Sequence, residues 1–394
     1  MQVRKYHITF IAAIMSLMTC KKLITPPVIN APNHYLVVTG NITIGDSTTI
    51  NISRTVNISG NASSKPELGA VVTVEGQQGG FYNLSSKNNG AYIAAPLNLN
   101  ISQKYRLKII TADGKQYASD YVTLKKAPPI DTVNYVINSN GIVINLNTHD
   151  ATNNTRYYRW DYTETYIIHS AYESHYEAKN MDTTVIRPPV DEIYQCWITD
   201  SSSTIIIGSS AKLSSDVISR QQITNIASSS EKLRVRYSIL VKQYALTADE
   251  YNYFVLLKKN TEQLGGIFDA QPSEITGNIH NLADAAEPVI GYITAGAVTE
   301  ARIFIDNKNL PGWTANTPYG ACTLDSVYYA YQAPSSDPNS PPLITNQVRD
   351  LIYPGTLIPI DAFSGHYGGG FTAAFPVCAD CTLRGTNKQP AFWK

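Results

Sequence analysis

Between residues 233 and 242 the chain alternates: Leu233, Val235, Tyr237, Ile239 and Val241 are separated by Arg234, Arg236, Ser238, Leu240 and Lys242. A period of two is the mark of a strand with one buried face. A few residues later the period changes. Thr247 is an N-cap residue and Glu250 stands three positions on, which makes a capping box. Tyr251, Phe254, Val255 and Lys258 then share one helical face, and Gly265-Gly266 falls where a left-handed C-cap belongs. The pattern predicts a strand feeding one helix over about 248–264.

The rest of the chain reads as strands. Residues 35–43 and 47–53 alternate as a strand pair, 70–76 is a third strand, and Asn88-Asn89-Gly90 is a turn before Ala91-Tyr92-Ile93. Residues 105–110 meet 117–123 across Ala112-Asp113-Gly114. About seven short strands in this span predict a β-sandwich of immunoglobulin or fibronectin type over residues 35–127. Pro128-Pro129 punctuates the chain, and a second β-rich domain is expected over 130–394. It opens with a hairpin across Asn138-Ser139-Asn140-Gly141. Residues 156–168 form the longest strand pattern, with Tyr158, Trp160, Tyr162, Tyr166 and Ile168 on one face and Arg159, Asp161, Thr163 and Thr165 on the other. Further strands are expected near 196–199, 204–208, 216–226 and 298–305. From about 310 the chain loosens into Pro, Gly, Ser and Asn. The fold class is therefore mainly β: two sandwiches, the second with one inserted helix and an irregular, loop-rich C-terminal tail.

The N-terminus carries an address. Arg4 and Lys5 precede an apolar run over 8–18, too short to span a bilayer and suited to the core of a signal peptide. The run ends Leu17-Met18-Thr19-Cys20, which resembles a bacterial lipobox, so residues 1–19 are expected to be removed and Cys20 to carry lipid. Residues 20–34, with Pro26-Pro27 and Pro32, would be a tether. An ordinary cleaved signal with a chance cysteine is the competing account. Either way the protein is exported. Lys plus Arg and Asp plus Glu both number 31, so nothing points to nucleic acid. Tyr is abundant at 26, in keeping with strand-rich structure.

Beyond Cys20 four cysteines remain: Cys196, Cys322, Cys378 and Cys381. An even number in an oxidising compartment indicates disulfides. Cys378-Ala379-Asp380-Cys381 has redox and zinc spacing. It lies in a Gly/Pro-rich tail rather than at a strand-to-helix junction, so Cys196 and Cys322 are expected to take one of the pair each, in either connectivity. No nucleophile elbow, zinc-protease motif, phosphate loop or calcium loop is present. His169 and His175 have no metal spacing, and His149-Asp150 reads as turn chemistry. No catalytic residue, metal site or cofactor is assigned. Tyr158, Trp160 and Tyr162 could form a stacking platform for a ligand, or fill the sandwich core.

Several segments resemble one family when taken together. They are Tyr157-Tyr158-Arg159-Trp160, Cys196-Trp197, residues 237–247, the stretch 266–273 with Gly277-Asn278-Ile279, Val289-Ile290-Gly291-Tyr292, and Cys378-x-x-Cys381 with Pro390-x-Phe392-Trp393. This set is similar to the Bacteroidetes envelope lipoproteins grouped as domain of unknown function 4249. Members are often encoded beside SusC-like TonB-dependent transporters, so the resemblance implies an outer-membrane location and a role beside such a barrel. It supplies no catalytic residues. Surface lipoproteins of this kind carry acidic residues after the cysteine. Lys21 and Lys22 stand there instead, which leaves open whether the periplasmic or the surface face carries the anchor. The tripeptides Asp46-Ser47-Thr48, Asp131-Thr132-Val133, Asp182-Thr183-Thr184 and Asp325-Ser326-Val327 resemble the O-glycosylation acceptor of such proteins, with chance the competing source. Two readings follow. One is a non-enzymatic accessory or ligand-binding partner of a TonB-dependent transporter; the other is a free-standing structural or adhesive surface protein.

Overall fold

The computed structural model describes residues 34–56, 64–179, 182–262, 275–332, 344–364 and 369–394. Cys20, the signal run, Gly265-Gly266, the stretch 266–273, His7 and His366 lie outside them.

The chain is mainly β, with one long helix. The first sandwich starts with Leu36–Thr43 antiparallel to Thr48–Arg54, and continues through Ala91–Ala94, Phe81–Ser86, Val71–Gly76, Lys104–Ile110 and Gln116–Ser119. Inward residues alternate along each strand. Leu36, Val38 and Ile50 from one half of the ladder meet Val74, Tyr105, Leu107 and Ile109 from the other in a single core. The Asn88-Asn89-Gly90 turn forms as its residues require: Asn88 and Gly90 both take positive φ, at 60° and 87°.

The second sandwich packs a three-stranded sheet on a larger one. Ile130–Asn138, Gly141–His149 and Val217–Ala227 make the first. The second runs Gln195–Ser201, Tyr157–His169, Arg236–Leu246 and Thr299–Asp306, with Ile206–Ser209 also on the long central strand. Ile142, Ile144 and Leu146 face Tyr158, Trp160, Tyr237 and Ile239 across the core. Full burial of one such side chain stabilises by roughly 1.5–3 kcal/mol. The tail after 310 is stapled by two disulfides and also adds a short three-stranded sheet, Asp325–Tyr328, Gly370–Ala374 and Ile358–Phe363. That sheet packs a small core of its own around Val327, Ile352 and Phe371.

The expected division at Pro128-Pro129 requires correction. Residues 130–394 do not stay in one unit, because the chain returns to the first sandwich after the helix. Ile279–Asn281 pairs with Gln116–Ser119, Val289–Ile290 pairs in parallel with Leu36–Thr43, and Thr294–Ala297 lies between Leu36–Thr43 and Lys125–Lys126, parallel to both. Leu36–Thr43 would otherwise present an unpaired edge, and the returning chain covers it. The crossing is possible because of glycine. A Cβ on Gly291 (φ +137°) would stand 2.0 Å from the Val38 carbonyl oxygen, and one on Gly296 would stand 2.0 Å from that of Lys125. Asn278 locks the return, since its side-chain amide donates to the Ile293 carbonyl (2.9 Å) and accepts from the Ile293 N–H (2.8 Å).

Gln243 joins the sandwiches. It is fully buried, its Oε1 accepts from Trp160 Nε1 (2.9 Å), and its Nε2 donates to the Pro128 carbonyl (2.8 Å) and to Thr148 Oγ1 (3.1 Å). Thr299 Oγ1 donates to the same Pro128 carbonyl at 2.9 Å. The proline punctuation is thus tied into the second core, and the linker is held at a fixed angle.

Gln243→Leu strands the Trp160 N–H in an apolar core, and should cost about 2–4 kcal/mol in urea unfolding at neutral pH. A loss near zero would show that the network is dispensable. The two disulfides should separate in the same assay. Cys196–Cys381 joins the main core, with both residues fully buried, so replacing both by Ala should lower global stability by about 2–4 kcal/mol. Cys322–Cys378 sits in the satellite cluster with Ile360 and Ala374. Its removal should leave the main transition in place and expose residues 320–364 to limited proteolysis.

Candidate functional site

A cleft between the two sandwiches has a volume of about 520 Å³, which is ligand-sized. One wall comes from the first sandwich and the returning chain: Thr39, Asn41, Thr49, Tyr292 and Thr294. The opposite wall is the outer face of the large sheet, where Arg159, Asp161, Lys242 and Tyr244 stand on neighbouring strands. Tyr253, Phe254 and Leu257 of the helix Ala248–Glu262 close one end, and the loop residues Ser202, Ser203 and Thr204 form a rim.

The helix positions these groups. Its capping box forms in both directions: Thr247 N–H donates to Glu250 Oε2 at 2.7 Å and Glu250 N–H donates to Thr247 Oγ1 at 3.3 Å. At the far end Lys258 Nζ donates to the Ile205 carbonyl (2.7 Å) and Glu262 Oε1 accepts from the Ile205 N–H (2.6 Å), which pins the rim loop. The helix face agrees in part with the one its spacing predicts: Tyr251, Phe254 and Lys258 are half-buried, but the most buried positions lie beside them. Glu250 and Tyr253 are buried, Phe254 and Leu257 half-buried, and Val255 is exposed. The reason is the cap. Glu250 must turn inward to reach Thr247, and positions three, four and seven residues later follow it.

Arg159 is the centre of the cleft. Its guanidinium lies 4.1 Å from the Tyr244 ring centroid and 5.0 Å from that of Phe254, a cation–π contact on each ring. Asp161 approaches Arg159 Nη2 only to 3.6 Å, while Arg159 Nε is buried and has no hydrogen-bond partner. Lys242 is engaged by Glu300 at 2.9 Å. Burial raises the Tyr244 and Tyr253 phenols above their ordinary range and pushes Tyr292 up to about 12, with the Glu250 and Asp249 carboxylates adding to the last. These tyrosines are neutral hydrogen-bonding groups at any physiological pH. Burial also pushes the Glu250 carboxyl up to about 7, against its bonds to Thr247, and its Oε1 has no partner.

Of the residues singled out from sequence, Trp160, Asp46 and Ser47 also line the cleft, and the others are placed elsewhere. Cys196–Cys381 and Cys322–Cys378 are the disulfides, so each member of the Cys-x-x-Cys pair takes one distant partner. Tyr158 and Trp160 stack in the core at 5.6 Å, and Tyr162 packs half-buried against it with its hydroxyl on Thr224; the stripe is core rather than platform. Asp150 caps its own turn, accepting from the N–H groups of Thr152, Asn154 and Thr155, which holds its carboxyl at about 2 despite partial burial. His149 pairs with Asp131 at 2.8 Å and is held above the ordinary imidazole range by that contact. His169 stacks on Tyr194, and His175 bonds to Asp361 at 2.8 Å. Among the described residues no three His, Cys, Asp or Glu side chains are grouped to hold a metal ion. Ser47, Thr132, Thr183 and Ser326, the middle residues of the four tripeptides, are all exposed. Sequence reasoning missed the cleft, because Arg159 and Asp161 read as an ordinary solvent face. The one available signal was Phe254, an aromatic on the face of the helix that follows that sheet.

Fold and cleft define a mainly β protein of two sandwiches linked by a chain that returns from the second to the first, with a ligand-sized cavity between them. The chain belongs to the family described as domain of unknown function 4249, whose profile matches residues 21–302. No curated protein matches it. Among solved structures it is similar to a two-domain fibronectin type-III segment of chicken tenascin, at 8% identity and a TM-score of 0.17, covering 54% of this chain and 93% of that one. It is also similar to the FN1–FN3 domains of chicken CNTN1, at 12% identity and a TM-score of 0.18, covering 54% of this chain and 62% of that one. Likeness at that level transfers neither ligand nor activity.

The raised Glu250 carboxyl generates a pH prediction. Between about 4.5 and about 7 the folded chain holds a proton at Glu250 that the unfolded chain releases. Its contribution is therefore fully present below pH 4.5 and is lost as pH rises through about 7, by up to roughly 3 kcal/mol. Glu250→Gln keeps the capping oxygen without the titration. In thermal scans from pH 4.5 to 8 the variant should lack this component of the decline and be the more stable protein at pH 8. Parallel curves for the two proteins would refute the assignment.

Proposed function

We propose that this chain is a non-enzymatic, lipid-anchored binding protein of the outer membrane, capturing a small ligand in the cleft between its sandwiches and working beside a TonB-dependent barrel. The cleft carries the reading. It is walled by two sheets, one of which carries an arginine in contact with two aromatic rings. Its groups suit recognition: stacked aromatics, neutral tyrosine hydroxyls and threonine and serine side chains at the rim. The anchor rests on Arg4, Lys5, the apolar run and Cys20, and the partner on the resemblance of the sequence segments to envelope lipoproteins often encoded beside such barrels.

The test is isolation of the tagged protein from outer membranes in mild detergent, with mass spectrometry of what accompanies it. A TonB-dependent barrel in stoichiometric amount is expected, and Cys20→Ala should move the protein into the soluble fraction. The protein isolated alone after crosslinking would favour a free-standing structural or adhesive role. A Cys20→Ala protein that stays membrane-bound and lipidated would refute the anchor.

A further inference from the structure

The cleft holds a charge whose hydrogen bonds are not used. A guanidinium has five N–H donors in a rigid fork. Arg159 makes no hydrogen bond among the described residues: its nearest carboxylate oxygen, on Asp161, is 3.6 Å away, beyond hydrogen-bond range. Its Nε is shielded from solvent without a partner, although only 22% of the side chain's surface is accessible. Tyr244 and Phe254 hold the guanidinium through ring contacts, which take none of its N–H hydrogen bonds. A guanidinium held by two rings, with a carboxylate near it but none hydrogen-bonded to it, has donors to offer a planar anion that accepts two parallel N–H bonds. Lys242 does not compete, because Glu300 engages it. Beside Arg159 lie Phe254, Leu257 and the Tyr253–Tyr292 pair, whose centroids are 4.9 Å apart. They form an apolar shelf next to the charge.

We propose that the cleft binds a small organic carboxylate with an apolar body: the carboxylate on Arg159, the body against Phe254, Leu257 and Tyr292. A free acid and the C-terminus of a short peptide share this chemistry. The proposal rests on the reading of the cleft as the ligand site, and the assay separates the two. The full chain is titrated calorimetrically with 3-phenylpropionate and with leucyl-phenylalanine, each against its amide, and with maltose as a neutral polar probe. Saturable binding of a carboxylate below about 10 mM is expected, with at least a roughly tenfold loss on amidation and in Arg159→Lys, which keeps the charge but not the fork. Tighter binding of the dipeptide identifies peptide as the source, and tighter binding of the simple acid identifies a free acid. Ser203→Trp, at an exposed rim position, should block the cleft without lowering the melting temperature, and so covers the case in which Arg159→Lys fails to fold. Equal affinity for acid and amide, or carboxylate binding unchanged by either variant, overturns the carboxylate assignment. Binding of maltose alone, lost in Ser203→Trp, overturns it while keeping the cleft as a binding site. Silence from every probe overturns both.

Discussion

Thr294–Ala297 lies parallel to Leu36–Thr43 on one side and Lys125–Lys126 on the other, and much of the molecule follows from that insertion. Parallel neighbours cannot be joined by a tight turn; a long crossover must separate them. Here the crossover includes most of the second sandwich and the helix, with only the strand Thr299–Asp306 of that sandwich's large sheet still to come. The chain leaves the first sandwich at Lys125–Lys126 and comes back between its own first and last strands. Residues 298–306 then run straight on into the second large sheet as Thr299–Asp306. The chain therefore passes between the bodies three times, and two of those passages, at 127–129 and at Val298, are short and lie among the described residues. Gln243 binds the outgoing connection at Pro128 and Thr299 binds the same carbonyl from the returning one. The two short passages are thus tied to one carbonyl at the seam beside the cleft.

That geometry explains why the cleft has the chemistry it does. The face of the large sheet bearing Arg159, Asp161 and Lys242 would be solvated in a free sandwich. The return strand holds the first sandwich over it, and the helix closes one end, so polar groups selected for solvent become partly desolvated. Desolvation strengthens the interactions left to them. Arg159 turns to two aromatic rings, Lys242 to Glu300. Glu250 shows the opposing cost, a carboxyl used as a helix cap but buried so deeply that its pKa climbs to about 7. Its cap keeps Tyr253 and Phe254 in place, so the helix accepts an electrostatic penalty to hold the cleft's end wall.

Local features were legible in the sequence and long-range ones were not. The hairpin Ile130–Asn138 with Gly141–His149, the long central strand and the capping box all carry their signals within a few residues: a turn tetrapeptide, a period of two, a Thr and a Glu three apart. Period alone leaves Tyr158 and Trp160 between core and platform, because it says that a face is apolar and not what lies against it. The return to the first sheet was invisible. Strand pairing across 250 residues leaves no periodic trace, and Gly291 and Gly296 look like any loop glycines until the carbonyls of Val38 and Lys125 are seen against them. A proline pair is a sound marker of where a chain leaves a domain, but it says nothing of whether the chain comes back.

The same limit hid Arg159. On a strand its side chain alternates away from Tyr158 and Trp160, and an arginine flanked by polar residues on an outward face is ordinarily solvated. What makes it unusual is supplied by residues far along the chain: Tyr244, directly opposite on the neighbouring strand, and Phe254, which comes from the helix. None of the three is informative by itself. Together they take the hydration from a guanidinium and give it π faces, which satisfy its charge but not its N–H donors. A purely structural arginine would be expected to pair with Asp161 two residues away on the same strand face, yet that carboxylate stands 3.6 Å off. The rings hold the guanidinium where its own neighbour cannot bond it well, and an arrangement of that kind is explained by a ligand group that can.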